Sequence, residues 1–195
     1  MKTVRIDLPG DREIIKTLRV GDEVRLFGRM LTGRDAAHKF LIEEECPQEI
    51  KDLLRKSIIY HCGPVVKREG DGWKVVAAGP TTSIREEPYQ AQVIADYELL
   101  GAMGKGGMGP RTLAGLAASG AVYLHAVGGV ASLLAQRIKR VSAVHMLEEF
   151  GAPEAFWVLE VEDFPALVTM DSQGGSIHQQ VLDRSTQIFA ERFKG

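Results

Sequence analysis

Apolar positions along the chain fall into short alternating stretches and longer periodic ones. Val24-Arg25-Leu26-Phe27-Gly28 alternates after a Gly21-Asp22 turn, which predicts a half-buried strand. Gly33-Arg34-Asp35-Ala36-Ala37-His38 leads into a helix through Ile42, closed by an acidic run and Pro47, and residues 48–56 predict a second short helix. Residues 57–60 and 73–78 read as strands, with 68–72 as a hairpin tip. A helix over 86–100, a glycine loop over 101–109, a helix over 111–119, a strand over 121–125 and a helix from Gly128-Gly129 to about Arg137 follow. Residues 156–161 and 166–169 read as two strands separated by Asp163-Phe164-Pro165. A closing helix from about Ser176 carries the stripe Ile177, Val181 and Ile188, with Leu182, Phe189 and Phe193 one position round. Strands dominate early and βαβ-like alternation sets in near residue 80. This order predicts one α/β domain over residues 1–195, with mixed sheets and outer helices.

Composition narrows the function classes. The chain has 195 residues, a net charge of −2, 45% hydrophobic and 26% charged residues, the balance of a soluble globular domain. Mild acidity argues against nucleic acid or an anionic membrane as partner. Residues 112–135 lack formal charge, but Gly115, Gly120, Gly128, Gly129 and a central His125 mark them as core segments rather than a membrane span. The N-terminus has no apolar run of signal-peptide length, and the expected location is cytoplasmic. Two cysteines, Cys46 and Cys62, can form neither a disulfide framework nor an all-cysteine metal site within one chain.

Charge is unevenly spread. Between Leu99 and Leu147 there is no Asp or Glu, while Lys105, Arg111, Arg137, Lys139 and Arg140 give this window +5 and leave −7 for the rest. Glycine turns inside the window expose backbone N–H groups, and helix N-termini add partial positive charge, so a small carboxylate or phosphate is the ligand expected. Gly104-Lys105-Gly106-Gly107-Met108-Gly109 is a literal G-x-G-x-x-G. It lacks the acidic residue about twenty positions on that a dinucleotide site uses, and a helix-like segment is expected before it where a strand is required. It also lacks the Ser or Thr that follows the lysine in a phosphate loop. Gly79-Pro80-Thr81-Thr82-Ser83-Ile84-Arg85 places hydroxyls and a guanidinium just after a strand, where Thr81, Ser83 and Arg85 can converge on one carboxylate. Ser83 with Glu86 three residues on also reads as a helix capping box. Arg34 is a second carboxylate clamp. Asp35 and His38 share a helix face without a third ligand, and His125 reads as a satisfied core histidine.

These blocks occur in order along nearly the whole chain. Thr32-Gly33-Arg34-Asp35-Ala36-Ala37-His38, the segment from Gly79 to Arg85, Gly104-Lys105-Gly106-Gly107-Met108, His125-Ala126-Val127-Gly128-Gly129 and the segment from Pro153 to Pro165 together resemble the β subunit of class I iron–sulfur fumarate hydratases. The β subunit of L(+)-tartrate dehydratase and the C-terminal domain of the single-chain enzymes resemble it equally. Glu86 departs from the family, which usually shows Met after the arginine.

The resemblance implies a swivelling β/β/α domain and reversible hydration of a C4 dicarboxylate, fumarate to malate. The implied cofactor is a [4Fe–4S] cluster ligated by a partner α subunit rather than by this chain. It further implies Arg34 and Arg85 as carboxylate anchors, Ser83 as a supporting donor, Lys105 as a charge near the substrate and Thr81 as the base. A threonine hydroxyl is a weak base and needs a neighbouring cation, for which Lys105 is available. A homodimer of β subunits is also in keeping with the family. A non-catalytic anion-binding or assembly module is the rival reading.

Overall fold

A computed structural model describes residues 2–193. Met1, Lys194 and Gly195, which belong to the domain read over 1–195, lie outside the described residues. The chain runs β1 (Thr3–Leu8), α1 (Arg12–Lys16), β2 (Glu23–Thr32), α2 (Asp35–Glu43), α3 (Gln48–Leu54), β3 (Ile58–Tyr60), β4 (Val65–Glu69) and β5 (Gly72–Ala77). A 3-10 turn (Ser83–Glu86) precedes α4 (Gln90–Asp96), β6 (Gly101–Gly104), α5 (Pro110–Ser119), β7 (Val122–His125) and α6 (Ala131–Ala135). Then follow β8 (Ile138–His145), α7 (Leu147–Phe150), β9 (Phe156–Met170) and α8 (Ile177–Arg192).

Seven strands form one sheet in the order β1-β2-β3-β6-β7-β9-β8, and β2 also pairs with β9. Strands β2, β3, β6, β7 and β9 therefore close on themselves, with β1 and β8 flanking; β4 and β5 make a separate hairpin. The pairs from β1 through β7 are parallel, whereas β9 runs antiparallel to β2, β7 and β8. Side chains alternate across the wall. Ile58, Tyr60, Met103, Val122, Leu124, Trp157 and Leu159 fill the inside, while Ile59, Ala102, Tyr123, Phe156 and Val158 face the helices, where Phe40, Leu41, Ile50, Val93, Ile94 and Leu116 cover them. Two sheet walls and a helical layer give the expected α/β arrangement, drawn into a barrel-like ring.

Several local expectations change. The two strands expected near Pro165 are one strand, β9: Asp163 takes a left-handed conformation (φ 54°), so the strand bends without leaving the sheet. The helix expected over 86–100 is only α4, because Glu86 ends the 3-10 turn, residues 87–89 form a further turn, and Leu99 and Leu100 are buried at the entry to β6. The glycine loop expected over 101–109 begins with β6, whose four residues are all buried. Glycine makes this possible, since a Cβ on Gly101 would overlap the Val122 carbonyl of the paired strand. The helix expected to reach Arg137 stops at Ala135, and β8 follows where no strand was expected. The charge-free stretch 112–135 supplies α5, β7 and α6 to the domain, and no described helix is long and apolar enough to cross a membrane.

Candidate active site

Parallel strands in a closed ring send their carboxyl ends to one rim, and the loops leaving that rim are where ligands of α/β domains bind. Arg34 follows β2, His61 follows β3, Lys105 follows β6 and His125 ends β7. The segment from Thr81 to Arg85 joins them through an isolated parallel bridge between Thr82 and Lys105. In that bridge Lys105 N–H donates to Thr81 O (3.1 Å) and Ser83 N–H donates to Lys105 O (3.0 Å). The backbones of Thr81–Ser83 and of Lys105 are thus held side by side, although more than twenty residues separate the two segments in sequence.

Each side chain has a defined setting. The Thr81 hydroxyl donates to the His61 carbonyl (3.0 Å), which also receives the Thr81 N–H (2.7 Å). Lys105 is half-buried and forms no ion pair among the described residues. Both arginines are already paired. Arg34 lies 3.3 Å from Glu154, whose other oxygen accepts the Ala36 N–H (3.0 Å), and Arg85 pairs with Asp35 in the first turn of α2. Ser83 is fully buried; its hydroxyl meets His61 Nδ1 (2.8 Å) and Tyr123 Oη (2.8 Å). The capping-box reading of Ser83 fails for that reason: the residue before the 3-10 turn is Thr82, no side chain caps it, and Ser83 Oγ faces inward instead.

Glu86 is buried to 1% exposure, and its Oε2 has no partner. Burial, reinforced by the neighbouring Asp35 carboxylate, pushes its pKa up to about 8. At neutral pH Glu86 therefore stays protonated. The rim then sets the basic side chains of Arg34, Arg85 and Lys105 against the acidic ones of Asp35 and Glu154, an excess of one basic group.

The acid-free window does not act as one site. Arg137 pairs with Asp163 (2.9 Å) and Lys139 with Glu162 (3.1 Å), so these charges belong to exposed ion pairs; Lys105 alone of the five joins the Thr81 cluster. The anion site expected where the glycine loop opens α5 is occupied from within. Glu87 accepts N–H groups from Gly109 (2.8 Å), Arg111 (3.0 Å) and Thr112 (3.2 Å), and the Thr112 hydroxyl (2.6 Å). The reason offered against a dinucleotide site also changes. A strand, β6, does precede the G-x-G-x-x-G, and what still argues against that site is the absence of an acidic residue downstream and the Glu87 carboxylate filling the helix N-terminus. His125 is not a satisfied core histidine: its Nδ1 is buried without a partner, with the His178 ring 6.3 Å away. His38 is buried against the Arg34 carbonyl and Gln90.

Sequence reasoning missed His61, Gln90, Tyr123, Glu154 and the Asp35–Arg85 pairing. None sits in a motif with intrinsic chemical meaning. Asp35 beside Arg34 and Glu154 in the Pro153 block were visible only as neighbours of residues chosen for other reasons.

Paired arginines, a lysine and a threonine thus sit on the carboxyl rim of a barrel-like α/β domain. The chain belongs to the fumarase C-terminus family, whose model matches residues 1–181. Among its relatives is a protein of Geobacillus stearothermophilus provisionally named class I fumarate hydratase, 49% identical over 191 residues. That alignment covers 97% of this chain but 36% of the relative, so the chain spans about a third of that protein's length. A Methanocaldococcus jannaschii protein provisionally named L(+)-tartrate dehydratase subunit beta is 44% identical over 169 residues, covering 86% of this chain and 87% of the relative. The L(+)-tartrate dehydratase subunit beta of Escherichia coli is 36% identical over 185 residues, covering 94% and 89%.

Proposed function

We propose that this chain is the β subunit of a two-chain hydro-lyase that adds water to and removes it from a C4 dicarboxylate, fumarate and malate first. The observation that carries the reading is the Thr82–Lys105 bridge, which gathers Thr81, Ser83 and Lys105 beside Arg85 on one rim of a fumarase-family domain. Relatives of similar length named as β subunits support a separate α partner. Because those relatives are named for tartrate, L(+)-tartrate is the second substrate to test.

This chain's own residues do not suit an iron–sulfur cluster. Burial raises both thiols, Cys62 to about 12, whereas ligation needs thiolate, and the described residues include no cluster of three or more metal-ligating side chains. In the proposal a [4Fe–4S] cluster belongs to the α subunit. Arg34 and Arg85 bind the two substrate carboxylates by exchanging Glu154 and Asp35 for them, which preserves a charge-assisted contact for each guanidinium. Neutral Glu86 avoids adding a third negative charge beside the incoming dianion. With its proton engaged on the His61 carbonyl, Thr81 Oγ1 is set to accept rather than to donate. Lys105, whose backbone N–H bonds the Thr81 carbonyl, is the cation that would favour loss of the Thr81 hydroxyl proton to solvent, leaving the alkoxide to take the substrate proton. Ser83, fully buried here, supports the Thr81–Arg85 loop from behind.

The test is anaerobic reconstitution of the chain with its cluster-bearing α subunit, assayed with fumarate, malate and L(+)-tartrate. Arg85→Ala and Lys105→Ala are each expected to lower kcat/KM by about 10–100-fold, the loss of one charged hydrogen bond or more. Full activity in both variants removes the residues from the site. Turnover by the β chain alone overturns the two-chain reading.

A further inference from the structure

Behind the rim, four side chains with no direct access to solvent form a continuous polar chain. His38 Nδ1 lies 2.9 Å from the Arg34 carbonyl, and His38 Nε2 lies 3.0 Å from Gln90 Oε1, an atom that a half-turn of the amide exchanges with Nε2. The same amide atom lies 2.7 Å from His61 Nε2, and His61 Nδ1 lies 2.8 Å from Ser83 Oγ. The two imidazoles meet edge to face, 5.1 Å between centroids, and His38, His61, Ser83 and Gln90 are each at 0% exposure.

The donors and acceptors in this chain can be counted from one end. The Arg34 carbonyl only accepts, so His38 Nδ1 carries a proton. Full burial holds His38 neutral, so its Nε2 is a bare lone pair and needs a donor. Gln90 supplies that donor only if its amide nitrogen, rather than its oxygen, sits between the rings. Its two N–H groups then reach both Nε2 atoms. With the oxygen between the rings, both amide N–H groups are orphaned and His38 must become a buried imidazolium. With the nitrogen there, only a carbonyl oxygen lacks a partner, which is the smaller penalty. His61 Nε2 therefore accepts, its proton lies on Nδ1, and Nδ1–H donates to Ser83 Oγ.

We propose that Gln90 is the positioning residue of this site: its amide N–H groups bridge His38 and His61, lock both rings in the Nδ1–H tautomer, and so tie the Arg34 loop to the Ser83 hydroxyl. The two carboxylate anchors sit on those two loops, Arg34 itself at one end and Arg85 two residues beyond Ser83 at the other. Their separation is thus set by a run of hydrogen bonds between neutral groups, which a change in bulk pH near neutrality does not disturb. The role in substrate binding rests on the hydro-lyase reading; the tautomers do not.

Two measurements decide it. Ring-nitrogen NMR of the labelled full chain at neutral pH is expected to show His38 and His61 both neutral, with a protonated Nδ1 and a hydrogen-bonded bare Nε2. A protonated Nε2 on either ring overturns the proposal, and this spectrum of the unaltered chain decides it even if the variants do not fold. In the reconstituted complex, Gln90→Leu removes both donors at nearly constant volume and Gln90→Glu replaces them with acceptors. Each is expected to raise KM for the dicarboxylate about 10-fold while kcat changes less than about threefold, the signature of displaced anchors. Unchanged KM, or a fall confined to kcat, overturns the positioning role. If the unaltered complex turns over no dicarboxylate, the functional reading fails, and the ring-nitrogen spectrum still stands or falls by itself.

Discussion

The buried chain from Arg34 to Tyr123 and the closing helix α8 are opposite solutions to holding residues in place. In the first, His38, His61, Ser83 and Gln90 lie at 0% exposure and each side chain is located by polar partners from distant parts of the sequence. In the second, sixteen residues form a helix with no buried member, and Phe189 and Phe193 are 64% and 70% exposed. The helix owes its start to Ser176, whose hydroxyl accepts the Gln179 N–H (3.3 Å), and its attachment to His178, which bonds Thr169 (3.0 Å) and packs on Gly107. Helices of that length are marginal in water without packing. One region is over-determined by complementarity and tolerates little change. The other is local in origin and tolerates much.

The contrast can be broken most severely at Gly104. A Cβ there would overlap Ser83 Oγ and lie 3.1 Å from His61 Nδ1, neither of which can retreat. Gly104→Ala is expected to destabilise the chain by about 3 kcal/mol or more, read from urea midpoints. A wild-type midpoint would mean that the Ser83–His61 contact is soft.

His61→Leu comes next. It leaves Ser83 without one partner and Gln90 with a buried orphan donor, for an expected loss of about 1–3 kcal/mol at neutral pH. Burial holds the His61 pKa down at about 3, so the neutral ring contributes stability above about pH 6.5 that is lost as pH falls toward 3. The variant should therefore lose part of the wild-type acid sensitivity. An unchanged acid limb sinks this assignment.

Glu86 works in the opposite direction. Its folded pKa of about 8 lies above the ordinary carboxylate value, so it contributes most below about pH 4.5 and progressively less as pH rises through 8. Glu86→Gln is expected to gain about 2 kcal/mol relative to wild type between pH 4, where the two differ little, and pH 6. Parallel stability curves for the two proteins would show that Glu86 ionises normally.

The smallest effect belongs to α8. Phe189→Ser removes no buried contact and should shift stability by less than about 0.5 kcal/mol. A larger loss would show that the exposed helix contributes to folding and would narrow the difference between the two regions.

Legibility in the sequence follows the same division. Elements built from local pattern were readable: α2 with its acidic first residue, β5 and the turn before it at Gly70, α5 ending at the left-handed Gly120, and α8 behind its serine cap, whereas the exposed β4 that completes the hairpin was not. Strand β8 was not, because its side chains are mostly half-buried or exposed and its Lys139 and Arg140 mimic a solvated run. The single strand β9 was read as two, since Pro165 signals a break that the bulge at Asp163 absorbs. At the site, Arg34, Thr81, Ser83, Arg85 and Lys105 could be singled out as candidates. That Arg34 and Arg85 face Glu154 and Asp35, and that Glu87 fills the start of α5, could not.

By itself, the order of apolar stretches and glycine turns determined an α/β domain, and the ordered motif blocks placed it in the fumarase C-terminus family. Those features depend on chain-local geometry and on motifs a few residues long. Only the tertiary structure decided which charges are free, which are already paired, and which carboxyl is kept neutral, because burial and a neighbour fifty residues away in sequence set those properties. In the arrangement proposed for Gln90, His38 and His61 acquire their protonation the same way, from a single amide placed between them by the fold.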